Sequence, residues 1–234
     1  MSITNRQKEL LQIIIEKYIK VAKPVASEYL AESFGGEVSP ATVRNEMAEL
    51  TKQGYLSQPH ISSGRIPCAK GFEYYVGKLL ARRDLSIVDK KALVKIKQDS
   101  GTSETLIKQI AKQIAVLAKA LSIVALSREQ FYYTGLTYLF SQPEFSQSDI
   151  ICDVSRVVDH LDGIMPELFE STGEKTEILI GKENPFSEFC GAIVGRCHLP
   201  NRTDYSLIGL LGPVRMDYGR GVALVDYAKE MLMR

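Results

Sequence analysis

The chain has 234 residues, 45% hydrophobic and 24% charged, which excludes wholesale disorder and leaves room for two domains with a proper core. No apolar run approaches the ~20 residues of a membrane-spanning helix, and the opening MSITNRQKEL lacks the apolar stretch of a signal peptide, so the expectation is a cytoplasmic protein. The net charge of +1 divides unevenly: residues 1–99 carry 16 Lys+Arg against 11 Asp+Glu (+5), and residues 100–234 carry 13 against 17 (−4), a basic head suited to polyanions and an acidic body that is not.

Thr4 and Gln7 form a T-x-x-Q capping box. Leu10, Leu11, Ile14, Ile15 and Tyr18 follow with a helical period. Pro24 ends that helix, because it pushes Lys23 out of the helical region. A second helix is expected from about Val25 to Phe34, burying Val25, Tyr29, Leu30 and Phe34 and stopping at Gly35-Gly36. Ser39-Pro40 opens a third helix, with Ser as N-cap and Pro at the first position. Val43, Met47 and Leu50 mark its buried face, and Gly54 closes it.

Helix, short turn, helix is the helix-turn-helix arrangement. The extended stretch Tyr55–Gln58, a Ser/Gly-rich tip and the return through Arg65, Ile66 and Pro67 then read as the hairpin wing of a winged helix. A fourth helix is expected over 71–83. Residues 86–127 read as mostly helical, broken at Asp99-Ser100-Gly101, with Thr102 or Ser103 as cap of the second part. Leu106, Ile110, Ile114, Leu117, Leu121 and Val124 are spaced close to 3.5 residues. That spacing fits either a helix packed on its own domain or a dimer seam. Beyond Phe131 the pattern is α+β. A strand is expected over Phe131–Gly135, one amphipathic helix over 147–171, strands over Glu177–Gly181, Phe189–Cys197 and Tyr205–Leu211, a turn at Pro200-Asn201, and a closing helix over Tyr218–Met233.

With Val43, Met47 and Leu50 turned inward, Ala41, Asn45, Ala48 and Lys52 point outward at 100° per residue, with Arg44 on the flank. Small residues let such a helix sink into a DNA major groove. Arg44 suits guanine O6/N7 and Asn45 suits adenine N6/N7. Ser39 and Thr42 suit phosphate oxygens. Glu46 and Glu49 oppose this, since both would repel phosphates if they faced the backbone. His60, Ser62, Arg65 and Lys70 supply a polar, cationic wing, with Ser63 and Gly64 keeping its tip flexible. An ordinary polar surface helix and a solvated hairpin remain the plainer alternatives.

Catalysis finds little support. The sequence holds no G-x-S-x-G, H-E-x-x-H, Walker A or G-x-G-x-x-G. Its three histidines, His60, His160 and His198, lie far apart. Cys68, Cys152, Cys190 and Cys197 form no C-x-x-C pair, so free thiols are expected. Cys190, Cys197 and His198 are a conceivable zinc set, but adjacent Cys-His chelates awkwardly and no fourth ligand is in view. We expect no enzyme, no cofactor and no metal.

Six blocks carry a family resemblance: ATVRNEMAEL (Ala41–Leu50), QPHISSGRIP (Gln58–Pro67), GFEYYV (Gly71–Val76), TGLTYLFSQPEF (Thr134–Phe145), IGKENP (Ile180–Pro185) and GLLGPVRMDYGRGVALVDYAKEML (Gly209–Leu232). In this order they resemble the HrcA family of bacterial heat-inducible transcription repressors across nearly the whole chain. The resemblance implies a winged helix, a GAF-like domain with an inserted dimerising domain, and binding as a dimer to an inverted-repeat operator before chaperone operons. It also implies the chaperonin GroEL as the partner that keeps the repressor active. The chain departs from the family where Leu121–Ser127 runs almost at once into Phe131–Gly135, a place where the inserted domain and part of the sheet are expected. Ile61, Ser63 and Cys68 also stand where Thr, Ala and Thr are expected.

The expected fold class is therefore α+β: an N-terminal winged helix-turn-helix (1–83), a linker helix (84–102) and a reduced GAF-like domain (103–234). The expected DNA contacts are Ser39, Ala41, Thr42, Arg44, Asn45, His60, Ser62, Arg65 and Lys70. A homodimer is expected through Leu106, Ile110, Ile114, Leu117 and Leu121 or through an exposed strand edge. Two other readings stay open. One is a ligand sensor with a pocket near Ile178, Val194 and Leu210. The other is a winged-helix adaptor for protein assembly.

Overall fold

The computed structural model describes residues 3–35, 38–99, 103–146, 148–199 and 204–233. The expected features at Gly36, Ser100, Gly101, Thr102 and Pro200-Asn201 lie outside these residues. The chain divides into two compact units, Met1–Leu80 and Ala81–Arg234.

The first unit opens with α1 (Asn5–Val21), held at its start by the expected capping box. Gln7 N–H donates to Thr4 Oγ1 at 3.2 Å, and Thr4 N–H donates to Gln7 Oε1 at 3.0 Å. Ala22 ends the helix in the left-handed region (φ 52°), and its N–H donates to the Tyr18 carbonyl. The second helix, α2, is shorter than expected, Ser27–Ser33. Val25 instead forms an antiparallel bridge to Arg65. Tyr29 is 37% exposed rather than buried, and its ring is covered by the Lys17 ammonium 4.2 Å from the centroid.

Helix α3 (Pro40–Lys52) has Ser39 as N-cap and buries Val43, Met47 and Leu50, as the period predicts. Gly54 follows at φ +80°, a conformation that costs a residue with a Cβ. The hairpin is brief: β1 (Leu56–Ser57) pairs antiparallel with β2 (Ile66–Pro67). The fourth helix starts earlier and ends earlier than its apolar pattern suggests. It comprises α4 (Ala69–Tyr74) and a π-helical turn, Tyr75–Leu79. Leu10, Leu11, Ile14, Leu30, Val43, Leu50, Leu56 and Phe72 are all buried within this unit.

The second unit is α+β. Helix α5 (Ile87–Asp99) packs on α6 (Ser103–Ala118), so the segment expected as a linker is built into this unit. The long helix does not run to Ser127. Lys119 turns left-handed (φ 51°), and Leu121–Ala125 form strand β3. All five β3 residues are buried, which a central strand with both faces covered requires and an amphipathic helix does not. Strand β4 (Phe131–Thr134) returns antiparallel to β3. The turn between them is closed by the Leu126 and Ser127 amides, which donate to the Gln130 carbonyl.

Three more strands follow: β5 (Glu177–Ile180), β6 (Cys190–His198) and β7 (Tyr205–Pro213). The five form an antiparallel sheet in the order β4-β3-β7-β6-β5. One face carries Leu121, Ile123, Cys190, Ala192, Val194, Leu207 and Leu211 into a core with α7 (Leu136–Phe140), α8 (Ser148–Asp159) and α9 (Leu161–Ser171). The expected single helix over 147–171 is thus two, split at His160 (φ −113°, ψ 27°). The split brings Val154 and Val158 on one side, and Leu161, Met165 and Leu168 on the other, into the same core. The opposite sheet face meets α10 (Tyr218–Met233), which packs on β6, β7 and α6.

No helix among the described residues is long and apolar enough to cross a membrane.

Candidate nucleic-acid interface

The buried stripe of α3 fixes what its other side presents. Ala41, Arg44, Asn45, Ala48 and Lys52 are all exposed. Beside them, the hairpin is stitched to the segment before α2: Val25 N–H donates to the Arg65 carbonyl, and Arg65 N–H donates to the Val25 carbonyl, both at 2.9 Å. Gly64 makes this approach possible, since a Cβ there would lie 2.2 Å from the Val25 oxygen.

The result is an open cleft of about 500 Å³ between α2, α3 and the hairpin. It brings together four of the nine expected contacts: Arg44, Asn45, Ser62 and Arg65. Ser27, Glu28, Gln58 and Ile61 also line it, and nothing in their sequence spacing marks them for it.

The other five sit outside its lining. Ser39 Oγ accepts from Thr42 N–H at 3.2 Å and shares a 3.0 Å hydrogen bond with the Thr42 hydroxyl, so both hydroxyls serve the helix start. Ala41 is exposed on the first turn. His60 lies at the hairpin tip, where its N–H donates to Ser63 Oγ. Lys70 Nζ donates to the Gln53 carbonyl at 2.8 Å and stands 4.6 Å over the Tyr55 ring. It braces the end of α3 as well as carrying charge.

The tip is not the flexible loop its Ser/Gly content suggests. Gln58 Nε2 donates to the carbonyls of Ile61 (2.7 Å) and Ser63 (3.1 Å), and Ser63 Oγ donates to the His60 carbonyl at 2.7 Å. This network holds Ile61 fully exposed.

Within the cleft the cations are oriented by neighbours. Arg65 Nε donates to Thr51 Oγ1 at 3.1 Å. Arg44 Nε donates to Ser27 Oγ at 3.1 Å, and its Nη2 donates to Glu28 Oε1 at 2.5 Å. The Glu28 carboxyl is held below its ordinary value of 4.5, first by a backbone N–H and then by Arg44. Glu46 does not oppose an anion. It turns toward α1, where Gln7 Nε2 donates to it at 2.9 Å and Arg6 lies 4.0 Å away. Glu49 accepts from Gln53 Nε2 at 2.8 Å.

The expected dimer seam is corrected by burial. Ile110 and Ile114 are fully buried inside the second unit, where α6 meets α5, α10 and the sheet. Leu121 belongs to β3 and is fully buried as well. Leu106 and Leu117 are half-buried. The near-3.5 spacing is therefore the period of a helix covered by its own unit. The sheet edges β4 and β5 each have one neighbouring strand.

The zinc set also fails. Cys190 and Cys197 are seven positions apart on one strand, so they project from opposite faces roughly 23 Å apart. Among the described residues no group of His, Cys, Asp and Glu is arranged to hold a metal. Near Val194 and Leu210, where a sensor would need a pocket, the cavity measures about 10 Å³ and is lined by Ile123, Met165, Leu168, Phe186 and Leu207. That is room for about one water, within an apolar wall.

Fold and cleft together define a two-unit α+β protein that presents an exposed polar helix beside a braced hairpin. The chain belongs to the HrcA family: residues 69–222 match the family model described as the HrcA protein C-terminal domain. It is similar to a protein named heat-inducible transcription repressor HrcA from Geobacter sulfurreducens, 26% identical over 336 alignment positions that take in 99% of this chain and 98% of the relative. Because this chain has 234 residues, about 100 of those 336 positions have no counterpart in it. The relative of the same name from Desulforudis audaxviator is 50% identical over 80 residues, 34% of this chain and 23% of the relative. Among solved structures, a crystal structure of a hypothetical protein superposes with a TM-score of 0.75 at 18% identity, covering 98% of this chain and 96% of that one. The named relatives are heat-inducible transcription repressors.

Proposed function

We propose that this chain is a sequence-specific DNA-binding repressor of chaperone operons. The observation that carries the reading is the cleft: Arg44 and Asn45 on an exposed helix, with Ser62 and Arg65 on a hairpin beside it, in a member of a family whose named members repress transcription.

In this reading residues 1–83 are a winged helix-turn-helix, with α3 as its recognition helix and the β1–β2 hairpin as its wing. Arg44 reads guanine and Asn45 reads adenine in the major groove. Ser39, Ala41 and Thr42 approach the phosphates at the start of α3, and His60, Ser62, Arg65 and Lys70 line the wing side. Segment 84–102, whose helix α5 is itself packed on α6, leads from this head into a reduced GAF-like domain, 103–234. A homodimer in the cytoplasm reads the two halves of an inverted repeat, and GroEL holds the repressor active.

The test is a footprint of the purified protein on DNA upstream of chaperone genes, run with and without chaperonin and across a salt series. Protection of an inverted repeat that weakens linearly in log salt is expected. No protection in any condition overturns the reading.

A further inference from the structure

We propose that Glu28, on the helix before the recognition helix, is a positioning residue that sets the sequence specificity of Arg44. The inference rests on the DNA-binding reading above and adds to it a residue with no base or phosphate contact of its own.

The geometry is specific to one edge of the guanidinium. Ser27 takes the Nε hydrogen and Glu28 takes one Nη2 hydrogen. Ser27 is buried and anchored on α2. Of the five N–H donors on an arginine, the two on Nη1 and one on Nη2 stay unassigned by these bonds. One Nη1 hydrogen and the remaining Nη2 hydrogen form the end-on fork, the edge that meets two adjacent acceptors such as guanine O6 and N7. Both side chains are more than half exposed and both line the cleft. The pair therefore orients a donor fork within the surface that would meet DNA, rather than filling a core.

The carboxylate acts in a second way. An unpaired Arg at this position takes any phosphate oxygen that it can reach, which raises affinity for all sequences alike. Glu28 already satisfies the charge of Arg44, and its own charge repels a phosphate that approaches the same edge. Guanine offers two neutral acceptors to the free edge and is not repelled in this way. Specific binding is kept while backbone binding is suppressed, a difference that a better contact to guanine alone could not supply.

The experiment uses the full-length chain and two duplexes, the one protected in the footprint and a scrambled duplex of equal length and composition. Glu28→Gln and Glu28→Ala are compared with wild type, alone and in an Arg44→Ala background, across a salt series. Because an exposed ion pair adds little to folding, unchanged thermal melting checks that these variants are folded. We expect Glu28→Gln to lose roughly tenfold in preference for the protected duplex, through weaker specific and tighter scrambled binding. The salt slope on scrambled DNA should steepen by about one. In the Arg44→Ala background the same change should leave the preference ratio unaltered, because the lost repulsion then acts on both duplexes alike. An unchanged preference ratio overturns the proposal, and so does an equal loss with and without Arg44. A wild-type protein that does not prefer the protected duplex defeats the DNA reading itself.

Discussion

One guanidinium nitrogen of Arg220 donates to both carboxylate oxygens of Asp89, at 3.0 and 3.1 Å. The two lie 131 residues apart, and Asp89 is buried while Arg220 is about half exposed. The pair fastens the first turn of α5 to the first turn of α10. Arg220→Ala leaves a buried carboxylate without this partner, so it should cost on the order of 1–3 kcal/mol. Asp89→Ala removes the charge together with its need and should cost less. Urea unfolding of both variants decides the order, and equal midpoints for Arg220→Ala and wild type would count against the pairing.

Gly191 on β6 lies against the fully buried Tyr218 ring, and a Cβ there would meet the phenol oxygen at 2.1 Å. That oxygen is held by a 2.7 Å hydrogen bond to the Val214 carbonyl. Gly191→Ala should destabilise by about 1–3 kcal/mol through overpacking. Tyr218→Phe removes the offending oxygen, so the double variant should recover part of the loss. A double-variant midpoint equal to the sum of the single losses would falsify this contact as the cause.

Burial pushes the Cys190 thiol up to about 12 and the Cys197 thiol up to about 11, from an ordinary 9.0. Cys152 is exposed and Cys68 half-buried. A thiol reagent at pH 8 should label Cys152 first and leave Cys190 and Cys197 untouched until the chain unfolds. Raised values favour the protonated form in the folded state, so their stabilising effect is complete below pH 9. It should be lost as pH rises from 9 through 11 and 12. Mass spectrometry of labelled peptides reads the order directly. Native labelling of Cys190 at the rate of Cys152 would contradict the burial.

Ile114 is fully buried on α6. If α6 were a dimer seam, Ile114→Ala would separate subunits and leave each folded. The observed packing instead predicts a loss of about 2–5 kcal/mol in unfolding free energy, independent of protein concentration. Sedimentation and urea unfolding, each at two concentrations, separate these outcomes.

A Cβ at Gly64 would lie 2.2 Å from the Val25 oxygen. Gly64→Ala should therefore push the hairpin off the segment before α2 and break the two Val25–Arg65 hydrogen bonds. In the DNA reading the cost falls on duplex affinity more than on melting temperature. Amide exchange at Val25 and Arg65 should quicken. Unaltered protection of both amides would show that the backbone absorbs the change.

Local signals carried most of the fold. The Thr4/Gln7 box, Ser39-Pro40 and Gly54 each act within a few residues of themselves, so they can be read without tertiary context. Strand positions from Phe131 onward were legible for the same reason. The failures share a cause. Leu121 and Val124 continue the helical spacing of Ile110 and Ile114, and only pairing with Leu211 and Ile208 across the sheet makes them a strand. Half of the cleft was legible because Arg44 and Asn45 follow from the period of α3. Glu28 was not, since its meaning depends on a residue 16 positions later on another helix. For Lys70 the sequence shows only a charge, since its carbonyl and ring partners are set by where α3 ends.

The four residues Ser127–Gln130 close β3 onto β4, and the Ser127 hydroxyl accepts from the Glu129 and Gln130 amides. A polypeptide leaving and rejoining the chain there would use two anchor points already side by side. The turn is therefore a natural port for grafting: a reporter domain with closely spaced termini could be spliced into it while β3, still gripped by β7, keeps its register.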